Sequence, residues 1–181
     1  MKLQDRRVII VIADGYYEHE FWYPYYRFKE EGAQVIVAGP KPGTVYGEGR
    51  SGLDGLPAVI THTVEQAADM DYDAVYLPGG IYGPLELRAH EPTLELVRNA
   101  MANGAIVAAI CHSPWILVSA DVIRGRRLTC PEDIAADVIN AGGTYVKEKC
   151  VRDGNLITAE YYAYLPEHFR MLIPAIEEKG A

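Results

Sequence analysis

Apolar runs and helically spaced apolar positions alternate along the chain. Val8-Ile9-Ile10-Val11-Ile12-Ala13 is a continuous β-branched run, the pattern of a strand buried on both faces of a parallel sheet. Asp14-Gly15 follows as a turn. A helix is then predicted up to Glu31, with Phe21, Tyr25 and Phe28 at helical spacing, Gly32 as its stop and Pro24 inside it. Gln34 to Ala38 reads as the second strand, which completes one βαβ unit.

Residues 39–62 break the rhythm. Pro40, Pro42, Gly43, Gly47, Gly49, Gly52 and Gly55 punctuate short alternating pieces, so a hairpin excursion is predicted, returning through Ala58-Val59-Ile60. Asp73-Ala74-Val75-Tyr76-Leu77 is the next core strand and ends in the tight turn Pro78-Gly79-Gly80. A helix over about 92–103 leads to Ile106-Val107-Ala108-Ala109-Ile110, another buried strand. Pro114 to Ala120 suits a short helix, Leu128-Thr129 a short strand, and residues 132–141 a helix. Tyr145-Val146, Lys149–Val151 and Leu156-Ile157-Thr158 read as short strands, the last two turned by Asp153-Gly154-Asn155. A C-terminal helix covers roughly 163–178. The alternation predicts one α/β domain over residues 1–181, a doubly wound, mostly parallel sheet with helices on both faces. Ligands of such sheets bind at the carboxyl ends of the strands, where Asp14-Gly15, Gly79-Gly80 and Cys111 all fall.

Composition narrows the function. Lys and Arg number 17 against 25 Asp and Glu, a net charge of −8, which disfavours nucleic acid and anionic membrane surfaces as partners. The apolar runs fall short of a membrane span. Three cysteines, Cys111, Cys130 and Cys150, have no paired spacing. Met1-Lys2-Leu3-Gln4-Asp5 offers no apolar stretch before Arg6 and Arg7. Free thiols in a reducing cytoplasm are therefore expected.

Cys111 closes an apolar strand and Pro114 opens a helix just beyond it. A side chain at such an elbow points into the ligand crevice, the helix N-terminus favours thiolate, and free backbone N–H groups there can hold an oxyanion. The alternative is a buried structural cysteine. His112, next in sequence, serves as base, acid or N–H donor, or is satisfied by a backbone partner. Gly79 and Gly80 are candidate backbone donors to the same pocket. Tyr16, Tyr17, Tyr23, Tyr25, Tyr26, Tyr82, Tyr161, Tyr162 and Tyr164 cluster in four stretches, as a pocket wall or as anchors of an oligomer interface. Glu18, His19 and Glu20 follow the first strand and can face the cleft. His19 with Glu18 and His112 lacks distinctive metal-site spacing, so no metal and no cofactor is expected.

These residues resemble the DJ-1/PfpI (ThiJ) superfamily, in particular its PfpI-like intracellular protease/deglycase branch. Ala109-Ile110-Cys111-His112-Ser113-Pro114-Trp115 is similar to the family's A-I-C-H-G-P-W elbow, and Leu77-Pro78-Gly79-Gly80 to its L-P-G-G turn. Arg124–Thr129, Ile139–Gly142 and Asp153–Thr158 match later landmarks in order, so the similarity spans roughly residues 7–178. The resemblance implies a flavodoxin-like fold, a homodimer or hexamer, Cys111 as nucleophile with His112 as partner, and an oxyanion pocket from the N–H groups of Gly80 and His112.

Two acidic positions depart from the pattern. The family carries a glutamate seven residues before the helix proline, bonded to the thiol; counting back from Pro24 gives Tyr17. The branch carries an acid after the proline of the glycine-turn loop to orient the histidine, often across the dimer interface; after Pro84 stands Leu85. Either Glu18 and Glu86, each one place later, substitute through a local shift, or the acids are absent; Tyr17 is a further candidate donor to the thiolate. The family's S-R-G-P-A-D-like stretch reads Ala159-Glu160-Tyr161-Tyr162-Ala163-Tyr164, so Tyr16, Tyr17, Tyr161 and Tyr162 are expected to shape the substrate pocket. A cysteine-dependent small-molecule hydrolase, hydratase or glyoxalase-like enzyme is the leading expectation. The rivals are a redox-sensing or chaperone-like module, a scaffold that has lost its chemistry, and an intracellular cysteine peptidase or deglycase.

Overall fold

The computed structural model describes residues 1–49 and 55–179. Gly52 of the predicted excursion and the last two residues of the predicted domain lie outside the described residues. The core is a seven-stranded sheet. In spatial order it runs β10 (Cys150–Asp153), β11 (Leu156–Ala159), β7 (Ile106–Ile110), β6 (Ala74–Leu77), β1 (Arg7–Val11), β2 (Gln34–Gly39) and β5 (His62–Thr63). All neighbours pair parallel except β10, which turns back on β11 through Gly154, at φ 59°. This is the predicted flavodoxin-like class.

Alternation along β1 explains why both faces are covered. Val8 and Ile10 join a cluster under α1 (Glu18–Glu30) and α7 (Leu165–Glu178). Ile9 and Val11 join the opposite cluster, with α2 (Val64–Ala68), α4 (Glu91–Ala102), α5 (Pro114–Ser119) and α6 (Ala135–Asn140). A strand buried on both faces has no polar side, which is why it reads as an unbroken apolar run.

The excursion is a hairpin of β3 (Gly43–Tyr46) and β4 (Pro57–Ile60). A small parallel pair, β8 (Arg127–Leu128) and β9 (Thr144–Tyr145), lies apart from the main sheet. Two helices escaped the periodicity reading because each is too short to show a period: α2, and α3 (Tyr82–Leu87) after the glycine turn. The first carried a local signal nonetheless. Thr63 and Gln66 form a reciprocal capping box. Pro24 lies within α1 rather than at its start. No helix among the described residues is long and apolar enough to cross a membrane.

Candidate active site

The carboxyl ends of the neighbouring strands β6 and β7 create the site. Beyond β7 the chain turns sharply at Cys111, whose φ of 59° is left-handed. A non-glycine residue held there costs of the order of 1–2 kcal/mol, sustained by the elements packed around it. Beyond β6, Gly79 and Gly80 pass close to that elbow. A Cβ on Gly79 would stand 2.5 Å from Glu20 Oε2 and 2.6 Å from Cys111 Cβ, and Gly80 has φ 94°. Both glycines are thus required, one by space and one by backbone angle.

The cysteine is buried, and its neighbours define it. The backbone N–H groups of Gly80 and His112 both donate toward the sulfur. His112 Nδ1 lies 3.2 Å from Sγ, and His112 Nε2 lies 3.0 Å from Asp133 Oδ2. From the opposite side comes Glu20, fully buried in the first turn of α1. Its Oε2 accepts the Gly79 N–H at 2.9 Å, its Oε1 has no hydrogen-bond partner among the described residues, and its carboxyl faces the Cys111 thiol across Gly79.

Burial dominates the protonation of this pair. It pushes the Glu20 carboxyl up to about 8, opposed by the Gly79 N–H and by Cys111, with Glu48 adding to the rise. Burial, and then the Glu20 charge, push the Cys111 thiol up, opposed by the Gly80 and His112 N–H groups. The expectation that the elbow helix alone favours thiolate is therefore corrected: desolvation outweighs it here. The groups are coupled, because a protonated Glu20 removes the charge that disfavours thiolate.

A cavity of about 250 Å³ opens above the sulfur, lined by Tyr17, Glu20, Glu48, Gly49, Gly80, Ile81, Cys111, His112, Tyr161 and Tyr162. The ring of Tyr17 lies 5.3 Å from both His19 and Tyr162, and Tyr161 packs on Tyr162 at 4.3 Å. Three of the four predicted pocket tyrosines therefore line the cavity.

Several predicted roles are corrected. Tyr16 does not wall the pocket: it is buried in the core, edge-on to Phe21, and its hydroxyl donates to the Leu56 carbonyl at 2.5 Å. Glu18 does not reach the thiol. Its Oε1 accepts the N–H groups of Gly49 (3.2 Å) and Leu56 (3.3 Å), which ties down the excursion beside the cavity. Glu86 is exposed on α3 and lies outside the cavity, while within the protomer His112 meets Asp133. The N–H of Gly79 is taken by Glu20, which leaves Gly80 and His112 as the donors beside the sulfur. Tyr17 is the residue before α1, where its backbone N–H bonds the Gly79 carbonyl at 3.0 Å and its ring lines the cavity.

Sequence reasoning missed the roles of Glu20 and Asp133. Glu20 stands four residues before Pro24, not seven, and so shares the buried face of α1 with Pro24 and Phe28. A carboxylate on an apolar stripe was the available signal. Asp133 had none, being 21 residues beyond His112. Among the described residues no group of three or more His, Cys, Asp or Glu side chains is arranged to hold a metal ion.

The DJ-1/PfpI family model matches residues 6–175. A protein of Pyrococcus abyssi named as a deglycase is 38% identical over 170 residues, covering 92% of this chain and 99% of that protein. The Escherichia coli protein named protein/nucleic acid deglycase 2 is 33% identical over 162 residues, covering 89% of this chain and 92% of that one. The crystal structure of Drosophila melanogaster DJ-1beta superposes with a TM-score of 0.83 at 27% identity, covering 97% of this chain and 96% of that chain.

Proposed function

The chain belongs to the DJ-1/PfpI family, and on that premise we propose that it is a Cys111-dependent enzyme acting on small molecules with an electrophilic carbonyl carbon. One observation carries this reading. A buried sulfur sits between the Glu20 carboxyl and the His112–Asp133 pair, with two backbone N–H groups aimed at it and a 250 Å³ cavity above. The cavity is below the roughly 300–1,000 Å³ usual for drug-sized ligands, which favours small substrates over a folded polypeptide.

The chemistry follows from the geometry. His112 Nδ1, 3.2 Å from Sγ, takes the thiol proton, while Asp133 at Nε2 steadies the ring and its positive charge. The thiolate forms a bond to the carbonyl carbon. The carbonyl π pair moves to oxygen, where the Gly80 and His112 N–H groups receive it and His112 returns the proton. With a 1,2-dicarbonyl attacked at its aldehyde carbon, the adduct's C–H proton then moves to the neighbouring carbonyl carbon and its hydroxyl proton to the neighbouring oxygen, giving a thioester. Water releases it as a 2-hydroxy acid. One carbon is oxidised as its neighbour is reduced, so no outside oxidant is needed. The deglycase names of the relatives favour a second form of the same chemistry, in which the carbonyl compound is first drawn from an adduct on an amine or thiol.

The test is turnover of a panel of aldehydes, 1,2-dicarbonyls, amides and isocyanides by the wild-type chain and by Cys111→Ala. Turnover of the aldehydes and dicarbonyls, abolished in the variant, is expected. Undiminished turnover in Cys111→Ala removes Cys111 as nucleophile.

A further inference from the structure

We propose that the Ser113 hydroxyl is a positioning group that sets the spacing of the two backbone donors of the site, by cross-linking the end of β6 to the end of β7. The two donors come from different strands. Gly80 N–H follows β6 by way of Leu77-Pro78-Gly79, and His112 N–H follows β7 at the elbow. For both to meet one oxyanion, the two strand ends must hold a fixed separation.

Ser113 stands at the N-cap position of α5, where a serine side chain ordinarily accepts a hydrogen bond from the helix's own first turn. Here it makes no cap bond. Its hydroxyl turns back instead and is fully buried. Ser113 Oγ accepts the Ile110 N–H at 2.8 Å, and it donates to the Leu77 carbonyl at 2.7 Å, sharing the proton with the Ile110 carbonyl at 2.8 Å. One hydroxyl thus joins the last residue of β6 to the last residue of β7. Three residues beyond Leu77 is Gly80, and two beyond Ile110 is His112. The same two segments touch at Gly79, where an added Cβ would meet the Ile110 carbonyl at 2.8 Å.

The oxyanion role of these donors rests on the proposed carbonyl chemistry, so the experiment separates the two. In the full chain carrying Ser113→Ala, and in Ser113→Gly as a second variant should the first fail to fold, three quantities are measured. Amide-proton exchange at Gly80 and His112 is expected to quicken about tenfold while amides within β1 and at Val107–Ala109 of β7 hold theirs. Adduct formation with 1,1,1-trifluoroacetone, followed by fluorine NMR, is expected to weaken about tenfold, because the tetrahedral adduct develops the oxyanion. Alkylation of Cys111 by iodoacetamide, a displacement that develops no oxyanion, is expected to stay within about twofold of wild type. Unchanged exchange at Gly80 and His112 overturns the proposal. So does a parallel loss of alkylation and adduct formation, which marks general damage to the elbow. A wild-type chain that forms no adduct overturns the carbonyl reading, while the exchange rates still decide the role of Ser113.

Discussion

The carboxyl that faces the Cys111 sulfur belongs to Glu20, held by the Gly79 N–H at 2.9 Å in a fully buried position. Its pKa, raised by burial from 4.5 to about 8, ties stability to pH. Between these values the unfolded chain has released this proton and the folded chain still holds it, so stability falls as pH rises through that window. The slope is at most about 1.4 kcal/mol per pH unit for one group. Glu20→Gln keeps the shape but cannot ionise. Thermal unfolding of the wild type is expected to drop from pH 5 to pH 8 more steeply than that of Glu20→Gln. Parallel curves for the two proteins would show that Glu20 ionises normally.

The contact between His112 and Asp133 yields a separate prediction. Asp133 is two-thirds exposed on its side chain, so its contribution to stability is small. Its effect is on the orientation of the ring, because Nε2 bonded to Asp133 leaves Nδ1 facing the sulfur. Asp133→Asn is expected to lower turnover and Cys111 alkylation at neutral pH by about tenfold, with an unfolding temperature close to wild type. An unchanged alkylation rate would place the histidine's orientation elsewhere, with Trp115, whose ring lies 5.1 Å from it, as the next group to test.

The legible parts of this molecule are those written in short stretches of sequence. The unbroken apolar runs of β1 and β7 announced buried parallel strands, and an apolar run ending in Cys111 before Pro114 announced the elbow. What stayed hidden depends on which way a side chain turns or on what packing brings near. Tyr16 and Tyr17 are adjacent, yet one ring enters the core and the other the cavity. Glu18 and Glu20 are two apart on a helix, about 200° around its axis, so one faces the hairpin and the other the sulfur. Counting along the chain from Pro24 misses this, whereas reading the helix face through Pro24 and Phe28 finds Glu20. Asp133 reaches His112 only after α6 and the turn before it pack beside the elbow.

Glu18 now has a structural task that can be isolated. Its carboxylate bridges the chain just after β3 to the chain just before β4 through Gly49 and Leu56, beside the cavity but apart from the sulfur. Glu18→Ala is expected to leave Cys111 alkylation within about twofold of wild type while raising KM for the carbonyl substrate several-fold, because Gly49 forms part of the wall. Loss of alkylation in this variant would return Glu18 to the nucleophile's immediate surroundings.

His168 controls the acid side of stability. It is fully buried on α7, its ring is 5.9 Å from that of Tyr76, and its Nδ1 has no hydrogen-bond partner. Burial lowers its pKa from 6.5 to about 4, with the Ile157 carbonyl opposing. Between those values the unfolded chain takes up a proton that the folded chain refuses, so stability falls as pH drops from 6.5 toward 4. This runs opposite to the Glu20 effect, and the two windows overlap between 4.5 and 6.5, where they partly cancel. His168→Leu removes one arm of that opposition. Its unfolding temperature is expected to fall steadily with pH from about 5 to 8, without the compensating rise that His168 gives the wild type below 6.5. Urea unfolding of the two proteins at pH 4.5, 5.5, 6.5 and 7.5 checks this directly. The same pH dependence in both would mean that the buried imidazole exchanges its proton as freely in the folded chain as in the unfolded one.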